Sequence, residues 1–292
     1  MIYSFLYVLI YSCASVFIEK LYFSIPPFFS LMITASIATF FFNLINIGKL
    51  KNIYAACWHE KKLWLSIMIT ILIMWNCTMI GPGMIGASLY NFLYFSWLGM
   101  IGFLSLGIFE WKKSRIKFYI GLSILGLIII ALFDQLVRSN SSINIWGILL
   151  AITGGSSAFI YFKQSQAIIK RIQLSATQIL SIRFYLTILV LFVILPSGSF
   201  QTLFTMSNIL QLILLAAISL ILPLYFQQKA LERISSEHNA IILSFSPIAT
   251  AVLQEIIFKN VELKFVIIYL LYSAIIATSY FLNKYKTRVE KI

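Results

Sequence analysis

Ten apolar stretches, each close to the length needed to cross a bilayer, take up most of the 292-residue chain. A hydrocarbon core of roughly 30 Å calls for a helix of about 20 apolar residues. The stretches run over residues 2–18, 28–47, 63–80, 84–109 and 116–133, then over 145–162, 177–195, 209–226, 240–258 and 265–282. They are apolar on every side and lack the period-two alternation of barrel strands, which leaves the helix as the spanning element. With 61% hydrophobic and only 11% charged residues, and a mean hydropathy of +0.95, the chain carries more apolar surface than a soluble core absorbs. The expected fold class is all-α integral membrane, with ten transmembrane helices.

The basic residues fall on alternate loops. One set holds seventeen: Lys49, Lys51, Lys61, Lys62, Lys112, Lys113, Arg115, Lys117, Lys163, Lys170, Arg171, Lys229, Arg233, Lys284, Lys286, Arg288 and Lys291. The other set holds four, Lys20, Arg138, Lys259 and Lys264, and Arg183 inside a span completes the twenty-two. This asymmetry places both termini in the cytoplasm of a cell-membrane protein. The net charge of +13 is then loop charge facing anionic headgroups, dispersed among spans instead of gathered on one face, and it implies no nucleic-acid partner. The first apolar run has no basic segment before it and no small-residue cleavage site, so it is expected to remain as the first helix. Cys13, Cys57 and Cys77 lie at no metal-ligand or redox spacing and read as reduced structural thiols.

The two halves align at a separation of about 150 residues, most clearly Phe95-Ser96-Trp97 against Phe245-Ser246-Pro247. Five spans per half is an odd number, so the second copy enters the membrane from the opposite side. The expected organisation is a pair of inverted repeats, residues 1–138 and 139–292, with a binding site near the midplane between them.

The stretch 174–184, LSATQILSIRF, is similar to the seventh-helix entrance of the drug/metabolite transporter superfamily, in its bacterial branch of ten-helix EamA-domain transporters. The stretch 225–247, YFQQKALERISSEHNAIILSFSP, resembles that family's passage from the eighth helix to the ninth. In the first half Glu110 stands where the family often ends its fourth helix with a glutamate. Trp97 replaces a proline there, Met32 falls near a usual arginine, and Asn260 stands where a second glutamate would be. The resemblance runs over essentially the full length and implies a transporter, with export favoured over import.

Polar groups inside the spans are the candidate site residues, since each costs a few kcal/mol in lipid and normally faces a cavity or a partner. Two readings stand for Arg183: it meets an anionic or carboxylate substrate with bidentate geometry, or it snorkels to the interface and cross-links helix ends. Glu255 is a candidate for proton coupling, or else an interfacial partner of Lys259. Glu19 reads as a boundary charge and Glu110 as a salt-bridge partner of nearby lysines. Asn91, Tyr94 and Trp97 recur every third residue on the fourth span, and Ser244 and Pro247 lie on the ninth; together they are expected to line the cavity. Pro247 should kink its helix, and Trp97 at the matching position should not. The run from Gly154 to Ala158 reads as a hinge, and Gly81-Pro82-Gly83 as the turn between spans three and four.

An embedded enzyme would need an acid, histidine or metal constellation. The sequence offers only His59 and His238, both in loops, and no zinc-protease, paired-aspartate or phosphate-cradling motif, so no enzyme, cofactor or metal is expected. The expectation is a carrier that moves a small organic metabolite, such as an amino acid or related compound, by alternating access. The alternatives are a flippase for lipids or lipid-linked intermediates, and an uptake carrier. Monomer and homodimer both remain open.

Overall fold

The computed structural model describes residues 2–21, 25–108, 125–126, 144–195, 206–258, 267–268, 270–272 and 274–275. All regular structure among the described residues is helical. The elements are α1 (Ile2–Leu21), α2 (Pro27–Ile45), α3 (Leu50–His59), α4 (Lys61–Ile85), α5 (Ala87–Ile108), α6 (Ile145–Ile172), α7 (Ala176–Ile182), α8 (Tyr185–Ile194), α9 (Met206–Leu215), α10 (Leu222–Leu231), α11 (Ser236–Leu243) and α12 (Ser246–Phe258). Eight of the ten expected spans fall on these elements. The fifth and tenth, 116–133 and 265–282, lie almost wholly outside the described residues.

Among the described residues five helical runs are long and apolar enough to cross a membrane: Pro27–Ile45, Lys61–Ile85, Ile145–Ile172, Ala176–Ile194 and Met206–Leu231. Their outward faces are hydrocarbon. Phe40 is 70% exposed and Val193 74%, among many exposed Leu, Ile and Phe side chains, a surface that water would not tolerate at this extent. Trp146 at the start of α6 and Trp58 on α3 are exposed at opposite ends of the bundle, where indoles favour the headgroup region.

Local sequence explains most boundaries. Pro27 opens α2, where its missing N–H costs nothing. The Asn144 side chain caps α6 by accepting from the Gly147 amide, and Ser175 with Gln178 forms a capping box ahead of α7. Gly86, at φ 82°, ends α4 in a conformation that a side chain would strain. The expected turn at Gly81-Pro82-Gly83 is corrected: α4 runs straight through it. The Pro82 carbonyl still accepts from the Gly86 amide, and a Cβ on Gly81 would land in the Tyr90 ring, so that glycine serves packing and not a turn. Likewise the glycines of α6 lie in an unbroken helix. A Cβ on Gly155 would stand 2.6 Å from the Tyr94 carbonyl oxygen, so the run permits close approach of α6 to α5.

Among the described residues three spans are interrupted. The seventh breaks at Arg183-Phe184, between α7 and α8. The eighth loosens into a π-helical stretch, Ala216–Ile221, just ahead of Pro223, whose absent amide breaks the regular ladder. The ninth breaks at Ser244-Phe245, immediately before Pro247, while α5 with Trp97 at the matching position is continuous. The helix interrupts beside Pro247 and does not at Trp97, as the residue difference predicts. Between the second and third spans, where a loop is expected from the sequence, lies the ten-residue helix α3.

Candidate functional site

The break in the seventh span sets the geometry of the most polar buried region. In an unbroken helix the carbonyls of Ser181 and Ile182 would accept from amides four residues on. Here the Ile182 carbonyl accepts from the Trp64 indole at 3.0 Å, and the Ser181 carbonyl from the Asn43 amide at 3.3 Å. Asn43 also donates to the Tyr185 hydroxyl at 2.8 Å and accepts from Tyr54 at 3.0 Å, and the two tyrosine hydroxyls bond each other. Side chains from α2, α3 and α4 thus hold the interruption in place at the end of the bundle that carries the basic loops.

Arg183 sits at that interruption with no exposed surface, so it does not snorkel. Its Nη1 donates to the Tyr161 hydroxyl at 2.7 Å, and that hydroxyl donates to Gln228 Oε1 at 2.9 Å. The guanidinium carbon lies 4.6 Å from the Phe184 ring centre and 5.5 Å from that of Tyr161, within cation–π range. Arg183 Nε and Nη2 and Gln228 Nε2 have no protein partner. Tyr7 on α1, stacked on Tyr11 at 5.2 Å, stands within electrostatic reach of Arg183, Tyr161 and Tyr94.

A second buried group joins α1, α5, α11 and α12. The Asn91 amide donates to Thr250 at 3.2 Å and its carbonyl oxygen accepts from Ser15 at 3.3 Å. The Ser12 hydroxyl reaches the Ser246 carbonyl at 3.3 Å, and Ser244 bonds the Ala240 carbonyl at 3.0 Å and the Phe95 carbonyl at 3.4 Å. The segments around Phe95 and Phe245 are therefore in contact. Pro247 is buried there. Trp97 turns instead toward α6, donating to Ser156 at 2.7 Å, and Tyr94 packs against Gly154 and Phe95.

The structure thus brings Asn91, Ser244 and Pro247 into one cluster and Arg183 into another, with Tyr7 and Tyr94 between them, while Trp97 faces α6. Glu255 falls on a late turn of α12, and its side chain, like those of Glu19, Glu110, Lys259 and Asn260, lies outside the described residues. The sequence reading missed Tyr161, Gln228, Tyr7, Trp64 and Asn43. Their one available signal was a polar head inside an apolar run, the adjacent amides Gln227 and Gln228 above all. The three cysteines are free, and no group of metal-binding side chains occurs among the described residues.

Residues 145–284, which contain all three interrupted spans, match the EamA-like transporter family. No match is found among the curated proteins. The EamA-like domain holds Arg183, Tyr161, Gln228, Ser244 and Pro247, while Asn91, Tyr94, Trp97, Tyr7 and Trp64 reach it from the first half. Beside this match stand five helical runs, among the described residues, that are long and apolar enough to cross a membrane.

Proposed function

We propose that this chain is a secondary transporter that moves a small organic metabolite across the cytoplasmic membrane by alternating access, in the direction of export. Residues 1–138 and 139–292 act as two five-helix halves of inverted topology, with both termini in the cytoplasm. The observation that carries the reading is that the EamA-like domain interrupts its spans at buried polar groups. Discontinuous helices at a repeat interface are how carriers place unsatisfied backbone and charged side chains around a solute. The start of the family match at residue 145 supports the division near residue 138.

Within this reading Arg183 meets the solute, and Asn91, Tyr94, Trp97, Ser244 and Pro247 line or shape its path. Glu255 is the coupling carboxylate, and pH-independent transport in both the wild type and Glu255→Gln would remove it from that role. The cross-links among Asn43, Tyr54, Tyr185 and Trp64 close the basic-loop end in the described conformation.

The test is solute profiling inside and outside cells that produce the wild type or a Trp97→Ala, Arg183→Gln double variant inserted to the same level. A soluble compound that shifts across the membrane only with the wild type supports the reading and gives its direction. If nothing soluble shifts, the reading falls, and translocation of lipid in reconstituted vesicles becomes the explanation to test.

A further inference from the structure

Burying a guanidinium without a counter-charge costs several kcal/mol, so such a group is retained only where something balances it. The described carboxylates with ion-pair partners are spent elsewhere: Glu60 with Arg171, Glu232 with Lys229 and Glu237 with Lys163, all at the loops. Among the described residues none pairs with Arg183, whose side chain bonds only the Tyr161 hydroxyl. Resting on the transporter reading above, we propose that Arg183 recognises a small organic monoanion, whose carboxylate lies along the Nε–H and Nη2–H edge of the guanidinium.

The geometry selects that edge. Nη1 is the nitrogen on the Cδ side, so Nε–H and Nη2–H point the same way and form a parallel pair at the spacing of two carboxylate oxygens. Those two nitrogens are the unpartnered ones, while Nη1 is committed to Tyr161. The Tyr161 hydroxyl accepts from Arg183 and donates to Gln228, which fixes the orientation of both side chains. The same bond leaves Gln228 Nε2 as a further buried donor without a partner. The Phe184 and Tyr161 rings lie close to the guanidinium, which has no exposed surface. Bidentate pairing is strongest in such a setting.

Charge balance narrows the class. A monoanion neutralises the site, whereas a zwitterionic amino acid brings an ammonium that needs its own counter-charge. The groups described around Arg183 are aromatic faces, a phenol and an amide. The inferred solute is therefore a carboxylate with a neutral or aromatic body, and not an amino acid.

The test uses the full-length protein in lipid nanodiscs and reads ligand-induced thermal stabilisation with two matched sets: benzoate, benzamide and phenylalanine, and butyrate, butyramide and norvaline. At least one carboxylate should stabilise the wild type where its amide and its amino-acid counterpart do not. Arg183→Gln should weaken that binding at least about tenfold. Arg183→Lys keeps the charge but not the planar fork, and Tyr161→Phe frees Nη1 to reorient. Each should weaken binding by a factor of about three or more, and they carry the test if Arg183→Gln does not insert. The inference is overturned if no carboxylate outperforms its amide, if the zwitterion binds as well, or if the Lys and Phe variants bind like the wild type. Profiling that finds a neutral or zwitterionic solute crossing only with the wild type would overturn this inference and leave the transporter reading standing. The absence of any transported solute would bring down the transporter reading itself.

Discussion

The indole N–H of Trp64 donates to the carbonyl of Ile182 at 3.0 Å, across the contact between α4 and the interruption of the seventh span. That bond satisfies a carbonyl that the broken helix no longer serves. Removing the donor while keeping the ring, Trp64→Phe, should cost about 1–3 kcal/mol, the penalty of an unsatisfied buried acceptor. Thermal unfolding in detergent reads it. An unchanged midpoint would mean that the span regains a regular helix on its own.

Close contact between α5 and α6 depends on Gly155. A Cβ there would meet the backbone oxygen of Tyr94 at 2.6 Å, and backbone cannot swing aside as a flexible side chain can. Gly155→Ala should therefore destabilise by about 1–3 kcal/mol and disturb the neighbouring bond from Trp97 to Ser156. Gly48, where an added methyl group would meet nothing within 4 Å, is the matched control, and its alanine variant should unfold like the wild type. Equal effects at both positions would show that helix contact is not the reason.

Span positions were legible because apolar length is a local property: residues 28–47 and 63–80 reappear as the cores of α2 and α4. Breaks signalled by proline were legible too, as at Pro247. The break at Arg183-Phe184 was not, because no glycine or proline marks it and its support comes from Asn43 and Trp64, well over a hundred residues away in sequence. The turn expected at Gly81-Pro82-Gly83 failed for the converse reason. A composition typical of turns was overridden by a tertiary demand, the fit of Tyr90 against Gly81. At the site, the charge of Arg183 stood out in the sequence, but its pairing with Tyr161 and Gln228 depends on three helices meeting.

Glu237, in the first turn of α11 and ahead of the apolar stretch, bonds Lys163 on α6. Burial alone would raise its pKa, but the Lys163 ammonium, its own backbone amide and Ser235 outweigh burial and hold the carboxyl down to about 2. A carboxyl depressed in the folded state contributes stability above its unfolded pKa of about 4.5 and loses it as pH falls toward about 2. Because Lys163 is about half exposed, the contribution should be no more than about 1 kcal/mol. Unfolding midpoints should fall between pH 5 and 3 (roughly the window set by those pKa values), and Lys163→Met should flatten that slope. A slope as steep in the variant would place the titration elsewhere.

Asn43 is the hub of the basic-loop end: its amide donates to Tyr185 and to the Ser181 carbonyl, and its oxygen accepts from Tyr54. Burial and the neighbouring Tyr185 hydroxyl raise the Tyr54 pKa, so the Tyr54 phenol keeps its proton near neutral pH. If a carrier must open this end once per cycle, these bonds between α2, α3 and α8 have to part together. Replacing the hub weakens the closed form by about 1–1.5 kcal/mol, which converts to a roughly five- to tenfold larger open fraction. In a background without Cys13, Cys57 and Cys77, a reporter cysteine at the buried Ser181 should react with N-ethylmaleimide at least about five times faster when Asn43→Ala is added. The same rate with and without Asn43→Ala would mean that the cluster is a static brace and that the end opens, if at all, along another seam.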